Sequence, residues 1–268
     1  MDLQALLQPQ HQLVMQRFVA ACQADARIVS AFLGGSYASG TADAYSDLDL
    51  GLITTDTAYD NFVAQRESFM RLLGDLVFLE DFDLPNIVFF ILQDGTEGEL
   101  ALGREGQFLH MHSGPYRILV DKTGILANIV FAGNEPSPAE QREMARRLVF
   151  WFWHDLSHFT TAVARGQLWW ANGQLEDLRR VCVNLARLKQ NAAHRADGYE
   201  KVEQALPMEQ LSPLQASFVP LEPGAMLQAA LVIVRFYEEL ASVVAGIHGI
   251  AYPSDLARVT YARLKKLM

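Results

Sequence analysis

The sequence predicts an α+β chain in which a mixed N-terminal half is followed by a C-terminal helical bundle. Three observations predict it. Short β-rich runs at residues 27–35, 46–53, 86–93 and 116–122 alternate with helical stretches up to about residue 133. Two prolines, Pro136 and Pro138, then break the pattern just after Asn134. Beyond them, apolar residues recur at helical spacing almost to the C-terminus.

The N-terminal half reads as an α/β or α+β domain. Its first strand candidate, residues 28–32, runs into Leu33, Gly34, Gly35 and Ser36, so two glycines and a hydroxyl stand where a strand gives way to a turn and a short helix. Residues 46–50 alternate polar and apolar, as a strand with one buried face does. Residues 86–93 and 96–102 flank Asp94-Gly95, the strongest short-range hairpin signal, and are expected as adjacent antiparallel strands. Residues 134–138 read as a linker ending in a helix N-terminus, because Ser-Pro precedes a long helical run. Domains over 1–133 and 138–268 follow, the second with helices at 139–165, 168–190, 223–247 and from 255 onward. Residues 191–222 give no readable element, and no repeat of solenoid period is present.

Composition narrows the function. A chain of 268 residues with 50% hydrophobic content buries one large core or two modest ones. No segment approaches the roughly 20 apolar residues of a membrane span, and the N-terminus lacks the basic start and cleavage site of a signal peptide, so a cytoplasmic protein without a membrane partner is expected. Cys22 and Cys182 lie far apart without metal-ligand spacing and read as buried thiols. The net charge of −9, with no cluster of Lys and Arg, disfavours nucleic acid and favours a cationic small molecule.

The chemistry is carried by residues 33–50. A Gly-Gly-Ser turn after a strand presents backbone N–H groups closely to phosphate, although such a turn is also simply a tight turn. The Walker pattern from Gly35 to Gly40 fails because Thr41 stands where its lysine belongs. Strand alternation puts Asp47 and Asp49 on one face and Leu48 and Leu50 on the other. Two carboxylates about 4 Å apart repel by roughly 4 kcal/mol at an effective dielectric of 20, so a fold that aims both at one point supplies a cation. Mg²⁺ suits them, since it takes carboxylate oxygen, keeps several waters and is completed by nucleotide phosphates.

Gly35-Ser36, ten residues, then Asp47-Leu48-Asp49-Leu50 resembles the signature of the DNA polymerase β-type nucleotidyltransferase superfamily. The resemblance implies a mixed sheet flanked by helices, a glycine-serine turn (Gly34, Gly35, Ser36) holding a nucleoside triphosphate, and two metal-binding carboxylates, Asp47 and Asp49. It also implies a third carboxylate on a neighbouring strand, and Glu99 in Gly98-Glu99-Leu100 is the best match, as base, metal ligand or both. The order of that segment and of residues 116–124 is similar to lincosamide nucleotidyltransferases and aminoglycoside 6-adenylyltransferases, as is the stretch from Trp151 to Leu178 in the helical half. Implied by this likeness are transfer of a nucleoside monophosphate, most simply AMP from ATP, to a hydroxyl of an antibiotic, with two Mg²⁺ ions about 3.5–4 Å apart. A helical acceptor-binding domain and a homodimer are implied as well. The alternatives are the same chemistry on a protein side chain, as in antitoxin-like members, or on another metabolite, and a binding protein with a degenerate site. The long helical half argues against the antitoxin type, and the intact set of six residues against the degenerate one.

Several residues outside this set read as structural. His154 and His158 share a helix face at i and i+4, but the zinc-protease glutamate is missing, so packing or surface is expected. His110 and His112 form neither triad nor ligand set. Trp151, Trp153, Trp169 and Trp170 are dense enough to line a pocket, yet each is expected in the core. Asp155, Glu176 and Asp177 could meet the ammonium groups of an acceptor, with surface solvation the default. Lys122 reads equally as a phosphate contact and as part of a strand-ending turn.

Overall fold

A computed structural model describes residues 7–84, 86–132, 136–191 and 198–268. The chain divides into two compact units, Met1–Asn134 and Glu135–Met268. Residues 134 and 135 of the expected linker, the first six of the N-terminus and residues 192–197 of the unread stretch lie outside the described residues.

The first unit runs α1 (Pro9–Ala24), β1 (Ile28–Leu33), α2 (Gly35–Ser39), β2 (Leu48–Thr54), α3 (Tyr59–Ala64), α4 (Arg66–Met70), β3 (Leu76–Glu80), β4 (Ile87–Leu92), β5 (Glu97–Arg104) and β6 (Arg117–Asp121). The strands form one mixed sheet in the order β3-β4-β5-β2-β1-β6, in which β2 and β5 are parallel and the other pairs antiparallel. The Asp94-Gly95 hairpin joins β4 to β5; Gly95 takes a positive φ of 84° and the Asp94 carboxylate accepts from the Thr96 N–H at 2.9 Å. Of these strands, β3 is the one the sequence did not announce.

Alternation gives the sheet two differently covered faces. Leu33, Leu48, Leu50, Leu52, Leu100 and Leu102 turn toward Phe18 of α1, Tyr37, Phe62 and Phe69, and form the main core. On the opposite face a smaller cluster of Phe32, Ile53, Phe108, Leu126 and Phe131 covers only part of the sheet. The polar positions of β2 and β5 share that second face. Burial of the leucines therefore fixes which way Asp49 and Glu99 point.

Gly98 controls how closely the two parallel strands approach. A Cβ added there would lie 2.3 Å from the Leu48 carbonyl oxygen, which is backbone and has no room to give.

In the second unit, α5 (Pro138–Ala164), α6 (Leu168–Gln190), α7 (Val202–Ala205), α8 (Met208–Ala216), α9 (Pro223–Ile247) and α10 (Ser254–Lys265) surround one apolar core. A capping box starts α5: the Ser137 N–H donates to the Glu140 carboxylate at 2.8 Å and the Glu140 N–H donates back to the Ser137 hydroxyl, with Pro138 at N1. Phe152 and Tyr237 stack with ring centroids 3.6 Å apart, and the Tyr237 hydroxyl donates to the Val149 carbonyl. Both cysteines are buried thiols, one in each unit.

Gly98→Ala should overpack the β2–β5 pair and cost roughly 1–3 kcal/mol of stability, read by calorimetry as a lower melting temperature together with slower turnover. An unchanged melting temperature would contradict the close approach.

Candidate active site

The glycines of the turn are required for two different reasons. Gly34 has an ordinary extended backbone (φ −104°) and its N–H donates to the Asp49 carbonyl at 2.8 Å, tying the turn to β2. Gly35 has φ +54°, which L residues other than glycine adopt at a cost, and a Cβ there would fall 1.6 Å from Asp49 Oδ2. The Asp49 carboxylate thus lies directly over the start of α2. Ser36 follows, and its Oγ is buried without a hydrogen-bond partner. A buried hydroxyl left unpaired is costly, and a polar ligand or water reaching it would remove that cost.

Asp49 and Glu99 are register partners across the parallel β2–β5 pair, both half-buried and on the same face. Asp47 is exposed and precedes β2, which starts at Leu48, so it reaches this face from the end of a loop rather than from within the strand. It is nevertheless near enough to act on Glu99. Burial pushes the Glu99 carboxyl above its ordinary range, and the charge of Asp47 pushes it further.

Whether this donor set suits a divalent cation can be judged from its chemistry. Among the described residues, no group of three or more His, Cys, Asp or Glu is gathered closely enough to hold a metal alone. Mg²⁺, however, is usually held by one or two carboxylates and finished by water and substrate phosphates. A pair of hard oxygen donors over a turn with an orphaned hydroxyl fits that mode of binding.

One residue of the site had been set aside in the sequence. His112, from the segment between β5 and β6, packs against the turn on the carboxylate face; a Cβ on Gly34 would lie 2.7 Å from its Cε1. Nothing local in the sequence signals this, because the segment reaches the turn only by folding back over the sheet. His110 is exposed. Lys122 is a structural residue: its Nζ donates to the Asp25 carbonyl at 2.7 Å, near the end of β1 remote from the glycine turn.

The helical unit corrects two expectations. Only Trp153 of the four tryptophans is core; Trp151, Trp170 and Trp169 are 58%, 38% and 82% exposed. Amphipathic periodicity counted them toward the core, but they flank its edge. Trp151, His154, His158 and Trp170 instead form a surface ladder with successive ring centroids 5.0, 4.4 and 5.7 Å apart. Asp155, expected at the surface, is only 5% exposed and accepts from His154 Nδ1 at 3.1 Å, and burial raises its carboxyl above the ordinary value. Glu176 is occupied by Arg179 at 2.8 Å and Arg180 at 3.7 Å. Asp177 is exposed.

The profile of streptomycin adenylyltransferase matches residues 9–267, a span that takes in both units. The chain belongs to the streptomycin adenylyltransferase family. It is a nucleotidyltransferase. Two solved structures align over most of its length. An aminoglycoside 6-adenyltransferase from Bacillus subtilis shares 13% identity over 97% of this chain and 99% of its own, with a TM-score of 0.43. A nucleotidyltransferase-like protein from Exiguobacterium sibiricum 255-15 shares 11% identity over 89% of this chain and 78% of its own, with a TM-score of 0.42. No curated protein matches the sequence. Among the described residues, no helix is long and apolar enough to cross a membrane.

The elevated Glu99 carboxyl carries a pH signature. A carboxyl raised in the folded state contributes stability fully below its ordinary value of 4.5, and that contribution is lost as pH rises through the raised value. Metal-free Glu99→Gln should therefore melt higher than the parent at neutral pH, with the advantage vanishing below about pH 4.5. Thermal melts across pH check this; equal melting temperatures at neutral pH would contradict a strained carboxylate.

Proposed function

We propose that this family member transfers AMP from ATP to a hydroxyl of a cationic antibiotic of the aminoglycoside class. The observation that carries the reading is the apposition of Asp49 and Glu99 on one sheet face, with the Asp49 carboxylate over a glycine turn that ends in an unpaired hydroxyl. The family match supports an aminoglycoside over the lincosamide that the sequence left equally open.

In this proposal residues 1–133 bind the nucleotide. Ser36 and the N–H groups around Gly35 receive the β- and γ-phosphates, while the Gly34 N–H stays on the Asp49 carbonyl and holds the turn to β2. Asp47 and Asp49, with Glu99, would hold Mg²⁺. The metal supplies charge neutralisation on the phosphates and polarisation of the attacking hydroxyl. The acceptor oxygen attacks the α-phosphorus in line, the bond to the bridging oxygen breaks, and pyrophosphate leaves. Glu99 takes the hydroxyl proton. Its fixed position beside Asp49 contributes through proximity.

Residues 138–268 serve as the acceptor-binding domain. Among the described residues no Arg or Lys lies within ion-pair distance of Asp155 or Asp177, unlike Glu176, and the exposed Trp151 and Trp170 offer ring faces to a cationic sugar. A cytoplasmic location supplies the ATP, and the homodimer implied by the sequence resemblance belongs to the same reading; sedimentation of the pure protein tests it.

Incubation with each NTP, Mg²⁺ and a panel of aminoglycosides and lincosamides, followed by mass spectrometry, should show one nucleoside monophosphate added to an aminoglycoside. Asp49→Asn should fold and give no product. If no drug gains the mass, the antibiotic acceptor is wrong; if folded Asp49→Asn keeps parental turnover, the carboxylate assignment is wrong.

A further inference from the structure

His112 is held in one orientation. Its ring packs against Phe32 and Phe131, each with centroids 5.1 Å away, and against Tyr116 at 6.5 Å. Tyr116 is itself fixed, its hydroxyl lying between the Leu126 and Ile129 carbonyls at 3.0 and 2.8 Å. His112 Nε2 is 3.0 Å from the Pro115 carbonyl oxygen. A carbonyl only accepts, so Nε2 is the nitrogen that donates, and in the tautomer this bond selects Nδ1 is the lone-pair nitrogen. Among the described residues the Pro115 carbonyl is the hydrogen-bond partner of His112, and none faces Nδ1.

That atom is placed at the site. The Cε1–Nδ1 edge lies against Gly34, where a Cβ would be 2.7 Å from Cε1, 3.2 Å from Nδ1 and 3.6 Å from Asp49 Cβ. Gly34 has a backbone that any residue adopts, so glycine is needed there for space, and the imidazole edge fills that space. A half-buried acceptor on the face that carries Asp49 and Glu99 does not attract an anion. The groups that complement it are hydrogen-bond donors, of which the O–H is the one common to a ribose and an antibiotic sugar.

We propose that His112 is a substrate-contact residue whose Nδ1 accepts a hydrogen bond from a hydroxyl of the bound substrates, either on the nucleotide ribose or on the antibiotic. The inference rests on the nucleotidyl-transfer reading and adds to it a residue that selects for a hydroxyl beside the turn. It makes His112 a determinant of specificity, separate from the carboxylates that serve the phosphorus.

The test is steady-state kinetics of the full chain with ATP, 2′-deoxy-ATP, 3′-deoxy-ATP and the drug that the parent modifies, comparing the parent, His112→Ala and His112→Asn. Losing one hydrogen bond should raise one KM roughly tenfold with little change in kcat. For a ribose contact, His112→Ala raises the KM for ATP and leaves that for one deoxynucleotide unchanged. For a contact with the antibiotic, only the KM for the drug rises. The amide oxygen of His112→Asn should recover part of the loss in either case. Gly34→Ala, which displaces the ring edge, should reproduce the same KM change and add little on top of His112→Ala. Unchanged KM values in a folded His112→Ala enzyme overturn the inference alone, as does a rise in every KM together with a lower melting temperature. Gly34→Ala and His112→Ala losses that simply multiply also overturn it. A parent protein that transfers nothing from ATP overturns the functional reading and this inference together.

Discussion

The parallel pairing of β2 with β5 is the constraint on which the rest of the first unit depends. It sets Asp49 opposite Glu99, and it holds only because Gly98 lets the Leu48 carbonyl approach to where a side chain would stand. The leucines between the carboxylates are buried in the main core, and a shift of one residue in register would carry every one of them to the other face. The hydrophobic effect, acting on Leu48, Leu50, Leu100 and Leu102, thereby aims Asp49 and Glu99 at the opposite face of the sheet. The glycine turn is joined to the same strand through the Gly34 N–H to Asp49 carbonyl bond, which fixes the turn against the carboxylate.

Electrostatics make that arrangement costly until a ligand arrives. Glu99 is half-buried next to Asp47, and both effects oppose its charge. Ser36 Oγ is buried unpaired in the same turn. In the proposed function a metal-bound triphosphate would relieve both, bringing cations to the carboxylates and acceptor oxygens to the hydroxyl. On the helical unit Asp177 and the tryptophans Trp151, Trp169 and Trp170 are exposed, while Asp155 is buried against His154.

Much of the fold was legible because its signals are local. The Asp94-Gly95 turn, the strand-to-glycine transition at Leu33 and the Ser137-Pro138 helix start each have a sequence mark set by backbone sterics or capping. The relation of Glu99 to Asp49 was legible only through the family resemblance, since no spacing rule says which strand pairs with β2. What stayed hidden was non-local. His112 reaches the turn along a segment without regular structure, β3 is a strand whose residues are largely exposed and so lacks a buried pattern, and Lys122 faces the end of β1 that sequence alternation leaves undetermined. Periodicity told that the tryptophans of α5 and α6 lie on helices, but not which helix edge another helix covers. Asp155 shows the same limit, because burial of a carboxylate beside His154 follows from packing between helices and not from either residue alone.

If the carboxylates and the glycine turn form one site, completed only when a nucleotide brings its phosphates, Mn²⁺ titration followed by electron paramagnetic resonance, with and without ATP, should reveal it. Expected are weak Mn²⁺ binding to the protein alone, binding tightened well beyond that of ATP in solution when both are present, and loss of that gain in Asp49→Asn. Tight Mn²⁺ binding without nucleotide, or an undiminished gain in Asp49→Asn, would contradict it.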